Sequence, residues 1–157
     1  MKLVTGLFLT LAYRMALIYW RIARPDTYGA FVAVWHDGRV LAIKNSYKPQ
    51  WTFPGGGVKS NESAVQAAAR ELREEVGIDV ESSSLSIVKE FICQGEYKKD
   101  HATAFEIVFE AEPNVQVDGL EVVKATFIDF EELLARRHEF TETVNCYLDW
   151  KSAEILK

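Results

Sequence analysis

The strongest periodic signal in the chain lies between Val65 and Val76. Val65, Ala68, Ala69, Leu72 and Val76 recur there at helical spacing and form one apolar stripe. The pattern predicts a helix over about residues 62–76, with the stripe turned to a core and Glu71, Glu74 and Glu75 sharing another face. Gly77, directly after it, suits the left-handed turn that ends many helices. The flanking segments read as strands. Tyr28–Trp35 is β-branched and aromatic. The Asp37-Gly38 pair then signals a hairpin, and Val40–Lys44 is the return strand. Beyond the helix, Leu85–Glu96 reads as a long, bent strand, Tyr97–Asp100 as a turn, and His101–Ala111 and Glu121–Ile128 as two further strands. Two helices close the chain. The first follows Asp129, with Glu132 completing a capping-box pattern, and runs to about Arg137. The second spans Thr141–Leu156, with Thr141 as N-cap and Val144, Leu148, Trp150 and Ile155 inward. Strands on both sides of a helix give an α/β class, a mixed sheet in an α/β/α sandwich.

Residues 3–22 stand apart. They are strongly apolar, but Arg14 interrupts them and leaves runs too short for an ordinary membrane span. A helix ended by Pro25 is the expectation, with Arg14 and Arg21 on one side. Three uses are open: packing on this domain or on a second copy as a homodimer, weak association with a membrane surface through Tyr13, Tyr19 and Trp20, or a signal or anchor. The division expected is an apolar N-terminal helix over 1–24 and one domain over 25–157, since 157 residues hold one ordinary core.

Composition changes the picture in two respects. A net charge of −5 disfavours sequence-independent binding to duplex DNA or RNA, which rests on Lys and Arg meeting phosphates, and leaves small nucleotides open as partners. Two cysteines, Cys93 and Cys146, have no metal-binding spacing and build no disulfide framework; a cytoplasmic location is the simple reading.

The acidic face of the 62–76 helix is where chemistry enters. Three like charges there repel, and a divalent cation would convert that repulsion into coordination; carboxylate oxygens, waters and substrate phosphates are what magnesium takes. A plain solvated acidic face is the competing reading for these three residues alone. The approach, Phe53-Pro54-Gly55-Gly56-Gly57, supplies glycines that give a ligand room. Arg70 can hold a carboxylate in its planar fork.

The whole segment Gly56–Ile78 resembles the box of the Nudix hydrolases, G-x5-E-x7-R-E-U-x-E-E-x-G-U, where U is apolar. Gly56, Glu62, Arg70, Glu71, Leu72, Glu74, Glu75, Gly77 and Ile78 fill every specified position. The resemblance implies the Nudix sandwich with an extra N-terminal helix. It also implies Mg2+ or Mn2+ as cofactor and hydrolysis of a pyrophosphate bond in a nucleoside diphosphate linked to a group X, by metal-activated water. By position, Glu71, Glu74, Glu75 and the carbonyl of Gly55 would serve the metal. Arg70 and Glu62 would form the structural pair, and Gly56 and Gly77 would shape the ends. The base that takes the proton of water would be Glu71 or a Glu on a later loop, here Glu121. Some bacterial members of the family carry a similar short helix before an Arg-Pro, here Arg24-Pro25.

Outside the box, Tyr47 and Trp51 are candidates for stacking on a base, against an ordinary core role. Lys98 and Lys99 are candidates for meeting substrate phosphates, against a solvated turn. From another functional class, a catalytically silent nucleotide-binding module on the same fold is the alternative. The family's isomerase branch lacks support, because neither cysteine has a catalytic setting.

Overall fold

The computed structural model describes the backbone of residues 2–157 and the side chains of residues 7–157. After helix α1 (Lys2–Ala23) come strands β1 (Asp26–His36) and β2 (Arg39–Asn45), two short strands, β3 (Trp51–Thr52) and β4 (Gly55–Gly57), and helix α2 (Ala64–Val76). Strands β5 (Ser86–Cys93), β6 (Lys99–Val108) and β7 (Val122–Asp129) follow, then helices α3 (Phe130–Ala135) and α4 (Glu142–Ile155). The sheet is mixed. β1 pairs in parallel with β6, and antiparallel with β2 and β4; β2 pairs with β3 and β7, and β5 with β6, all antiparallel.

The alternation in β1 explains the layering, because successive strand residues point to opposite faces. Ala30, Val32 and Val34 face one way and pack with Ala67, Ala68, Leu72 and Val76 of α2. Phe31 and Ala33 face the other way and pack with Val144, Tyr147 and Leu148 of α4. Two apolar layers on one sheet make the α/β/α sandwich.

Several boundaries differ from the sequence expectation. The α2 helix starts at Ala64, because Ser63 caps it in a reciprocal box with Gln66. Glu62 is left outside the helix. The strand expected to reach Glu96 stops at Cys93, because the chain turns through Gly95–Tyr97. Lys99 and Asp100, expected in a turn, begin β6 instead. No side-chain cap forms at Asp129; Glu132 pairs with Arg136 at 2.5 Å instead. Thr141 occupies the N-cap position of α4 without a side-chain cap bond, its hydroxyl lying 3.4 Å from that of Thr52. Ile155, expected inward, is 62% exposed. The thiols of Cys93 and Cys146, 53 residues apart, meet at 2.7 Å.

Candidate active site

The centre of the site is built where β4 passes α2. Arg70 lies nearly two turns into the helix and reaches back across the loop. Its guanidinium donates to both oxygens of Glu62, at 3.1 and 2.6 Å, to the carbonyl of Gly57 at 3.1 Å, and to Glu71 Oε1 at 2.6 Å. A longer contact of 3.3 Å reaches Glu74. Such planar, bidentate recognition is what Arg does and Lys does not. Arg70 holds the Glu62 carboxyl down to about 2, helped by the Lys59 backbone N–H, and itself is held firmly protonated.

The glycines admit this packing. A Cβ on Gly56 would lie 2.4 Å from Glu71 Oε1, and one on Gly55 would lie 2.4 Å from the carbonyl oxygen of Ala30. Gly77 closes α2 in the left-handed region at φ 69°.

Glu75 differs from its helix neighbours. It is 5% exposed, and its Oε2 accepts the backbone N–H of Gly55 at 2.8 Å. Burial pushes its carboxyl up to about 9, against the pull of that N–H, and the charges of Glu71, Glu121 and Asp118 add to the rise. Burial also raises Glu71, although Arg70 pulls it back. Glu74 is half exposed, with 52% of its side chain open to solvent. Arg70 is the one cation recorded in contact with these helix carboxylates among the described residues.

Glu121 enters from the other end of the chain. The loop before β7 is shaped by Asp118, whose carboxylate accepts the backbone N–H groups of Leu120, Glu121 and Val122 at 3.0, 3.1 and 2.9 Å. That loop is tied to the end of β2, where Ser46 N–H donates to the Glu121 carbonyl at 2.8 Å. Tyr47 donates its hydroxyl to Glu121 Oε1 at 2.8 Å, and burial, then the Glu121 charge, raise its pKa far above the usual phenol range. Behind Tyr47 stands Tyr13 of α1, ring centroids 5.3 Å apart. Glu71, Glu74, Glu121, Tyr47 and Tyr13 all line one cleft of about 930 Å³. That is at the upper end of ordinary small-molecule sites.

The far wall of the cleft is a second polar cluster. Glu96 accepts from Tyr13 at 2.6 Å and pairs with Lys48 at 3.0 Å. Burial pushes the Glu96 carboxyl up, but Lys48 and Tyr13 outweigh it and hold it below the ordinary range. Lys98 sits over the Trp20 ring, 4.5 Å from its centroid, and 3.6 Å from Asp100. Glu96 and Tyr97 hold successive left-handed backbones, φ 53° and 62°, which side chains other than glycine adopt only under constraint.

The expected substrate-binding residues therefore separate. Tyr47 and Lys98 line the cleft. Trp51 does not; its half-buried ring packs against the α4 core between Lys44 and Lys124. Lys99 does not either, and faces Asp26 at 3.9 Å with half its side chain in solvent. Sequence reasoning passed over Asp118 and Glu96, and it set Tyr13 and Trp20 toward a membrane surface, whereas both face the cleft because they pack on Glu96, Tyr47 and Lys98. The Asp118-Gly119 pair was a readable turn signal; the Tyr13–Glu96 contact spans 83 residues and left none.

As a cation site the arrangement is open. Among the described residues no three His, Cys, Asp or Glu side chains converge into a ready-made cage. The donor set still suits a hard cation: carboxylates in excess, one of them buried without a cationic partner, beside a cleft with room for waters and phosphate oxygens.

Comparison with known proteins assigns the chain to a family. Residues 25–148 match the NUDIX domain, and the chain belongs to that family. Among its relatives is an RNA pyrophosphohydrolase of Halorhodospira halophila, 52% identical over 42 residues, which are 27% of this chain and 23% of that one. Another is a MutT-like protein of Streptomyces ambofaciens, 35% identical over 89 residues, 57% of this chain and 53% of that one. Both matches cover little more than half of the relative's length at most. Among solved structures, the MutT protein of Methanosarcina mazei Go1 superposes with a TM-score of 0.74 at 20% identity, over 87% of this chain and 99% of that one. A bifunctional NMN adenylyltransferase/ADP-ribose pyrophosphatase of Francisella tularensis, solved with AMP and a manganese ion, superposes at 0.69 and 15% identity, over 89% of this chain and 46% of that one. At such identity the structures share the fold.

Proposed function

We propose that this chain is a pyrophosphohydrolase, dependent on Mg2+ or Mn2+, that cleaves the pyrophosphate bond of a nucleoside diphosphate derivative or nucleotide. The observation that carries this reading is Glu75, a buried carboxylate beside Glu71 and near the charge of Glu121, at the edge of a nucleotide-sized cleft. Glu71, Glu74, Glu75 and the Gly55 carbonyl would hold the cation. When bound, it would neutralise phosphate charge and make water a stronger nucleophile at neutral pH.

The chain's own residues do the rest. Arg70 fixes the rotamer of Glu71 and the Gly55 N–H fixes that of Glu75, so neither carboxylate needs to be ordered when substrate arrives. Glu121, held by Tyr47, or Glu71 would accept the proton of the attacking water. Lys98 would offer a positive charge to the outer phosphate or leaving group, and Tyr47 would stack on the base; both line the cleft. Two cysteines without a disulfide framework support a cytoplasmic location for this reaction.

The test is chromatography of the products, nucleoside monophosphate with phosphorylated X or pyrophosphate, from a panel of nucleoside triphosphates, nucleotide sugars, dinucleoside polyphosphates and 5′-triphosphorylated RNA, with Mg2+ and with Mn2+, beside Glu75→Gln. Turnover of at least one member, metal-dependent and lost in the variant, is the expected result. Full turnover in Glu75→Gln would overturn the reading.

A further inference from the structure

We infer that the outward face of α1 docks on an anionic lipid surface. Among the described residues the helix meets the body through Tyr13 and Trp20, with Arg21 at the border reaching over the Tyr97 ring. On the opposite side Phe8, Leu11, Met15, Ile18 and Ile22 recur three and four residues apart, at 57–81% exposure, flanked by Leu7 and Tyr19. An uncovered apolar stripe of that length marks an interaction surface. Its spacing would also suit the helix of a second copy, and charge decides between the two. Arg14 and Arg21 border the stripe and are exposed. Residues 1–24 hold four of the chain's 18 Lys and Arg and none of its 23 Asp and Glu. Two such helices side by side would gather like charges with no acid of their own to pair them. An anionic bilayer supplies the opposite charge and takes the apolar stripe at the headgroup boundary. No described helix is long and apolar enough to cross a membrane, so α1 lies along the surface. Tyr13 and Trp20 on its other side keep their places in the cleft wall.

Vesicle flotation of the full chain tests this, with phosphatidylcholine alone and with phosphatidylcholine mixed with phosphatidylglycerol. Recovery is expected with the mixed vesicles only, and should fall as salt rises. Arg14→Gln and Arg21→Gln should each weaken partitioning about fivefold. Leu11→Glu with Ile18→Glu should abolish it at an unchanged melting midpoint. Equal recovery on neutral vesicles, or equal recovery of the Leu11→Glu/Ile18→Glu variant, would overturn the inference. So would failure to float, including the case where light scattering finds a dimer that the same double variant splits, which would assign the stripe to a second copy.

A separate observation carries a second inference: Cys93 and Cys146 form a reversible disulfide. Their sulfurs lie 2.7 Å apart, Cys93 buried in the cleft wall and Cys146 partly exposed on α4. A peroxide would oxidise the reachable Cys146 to a sulfenic acid with release of one water. Cys93 would then displace the second, so two thiols reduce one peroxide to two waters. Hydrogen peroxide should lower the intact mass by 2 Da and raise the melting temperature, both reversed by dithiothreitol and absent in Cys146→Ser. Two titratable thiols remaining after peroxide, or oxidation stopping at added oxygen, would overturn it.

Discussion

Two polar clusters line the same cleft, and they are solved in opposite ways. Around Arg70, the carboxylates Glu62, Glu71 and Glu74 share a single cation, and Glu75 is buried beside them with only a backbone N–H. Around Glu96, two lysines and a tyrosine hydroxyl neutralise one carboxylate, and Lys98 also serves Asp100. The first cluster is short of positive charge and needs something from outside. The second is complete. An under-neutralised, buried carboxylate group is costly to maintain, and the cost is tolerable where a cation or substrate removes it. A balanced network needs no ligand to hold its charges, and serves first as wall even where Lys98 faces the cleft.

The contrast is sharpest at Glu75. Replacing it by Gln should lower kcat by at least about 10³-fold, the scale of losing a preorganised electrostatic group, while the fold persists. The same change should stabilise the metal-free protein. The native carboxyl is raised from 4.5 to about 9, so at pH 7 the folded state holds a proton that the unfolded state has released. Wild-type stability must then fall as pH rises from about 4.5 toward 9. Glu75→Gln should gain on the order of 3 kcal/mol at pH 7 and nothing near pH 4. Melting curves across that range, without metal, check the sign; a wild type that gains stability with rising pH through this window would refute it.

Glu121→Gln ranks next. If Glu121 is the base, kcat falls by roughly 10²–10⁴-fold and the acidic limb of the pH–rate profile moves. If Glu71 is, the profile keeps its shape. Tyr47→Phe removes the hydroxyl that orients Glu121 and should cost about five- to tenfold in kcat, with the melting temperature lowered by the equivalent of about 1 kcal/mol. Smallest of all should be Lys48→Met, in the balanced cluster. It leaves Glu96 with Tyr13 and Lys98, and kcat on a fixed nucleotide should stay within about threefold of wild type. A larger kcat loss there than at Tyr47 would break the division between the clusters.

The same division explains what could be read in advance. Arg70, Glu71, Glu74 and Glu75 share two turns of one helix, and Glu62 and Gly56 lie within 15 residues, so their contacts follow from helix geometry and local spacing. The sandwich was legible too, because β1 alternates and α2 carries a stripe. Contacts that depend on the return of the chain were not. Tyr13 meets Glu96 and Tyr47 through elements that only the sheet brings together. Trp51 was turned to the α4 side by its pairing with β2, and the Cys93–Cys146 contact joins β5 to α4. Asp129 and Glu132 fit a capping pattern, but Arg136, one turn on, competed for Glu132 with a full charge.

The pairing of β1 with β6 has a consequence for how the molecule comes into being. Ten residues of β1, Asp26 to Trp35, match Lys99 to Val108, so every pair in this central ladder spans 73 positions. Contacts of such range slow folding, because loop entropy is surrendered before they form. On the ribosome, β1 emerges with its hairpin partner but without its parallel neighbour, and must wait on the order of ten seconds at ordinary elongation rates for β6 to be made. During that interval the apolar edge at Val32 and Val34 has no strand beside it. The nascent chain therefore passes through a window of exposure to chaperones and to other nascent chains that the finished protein never shows.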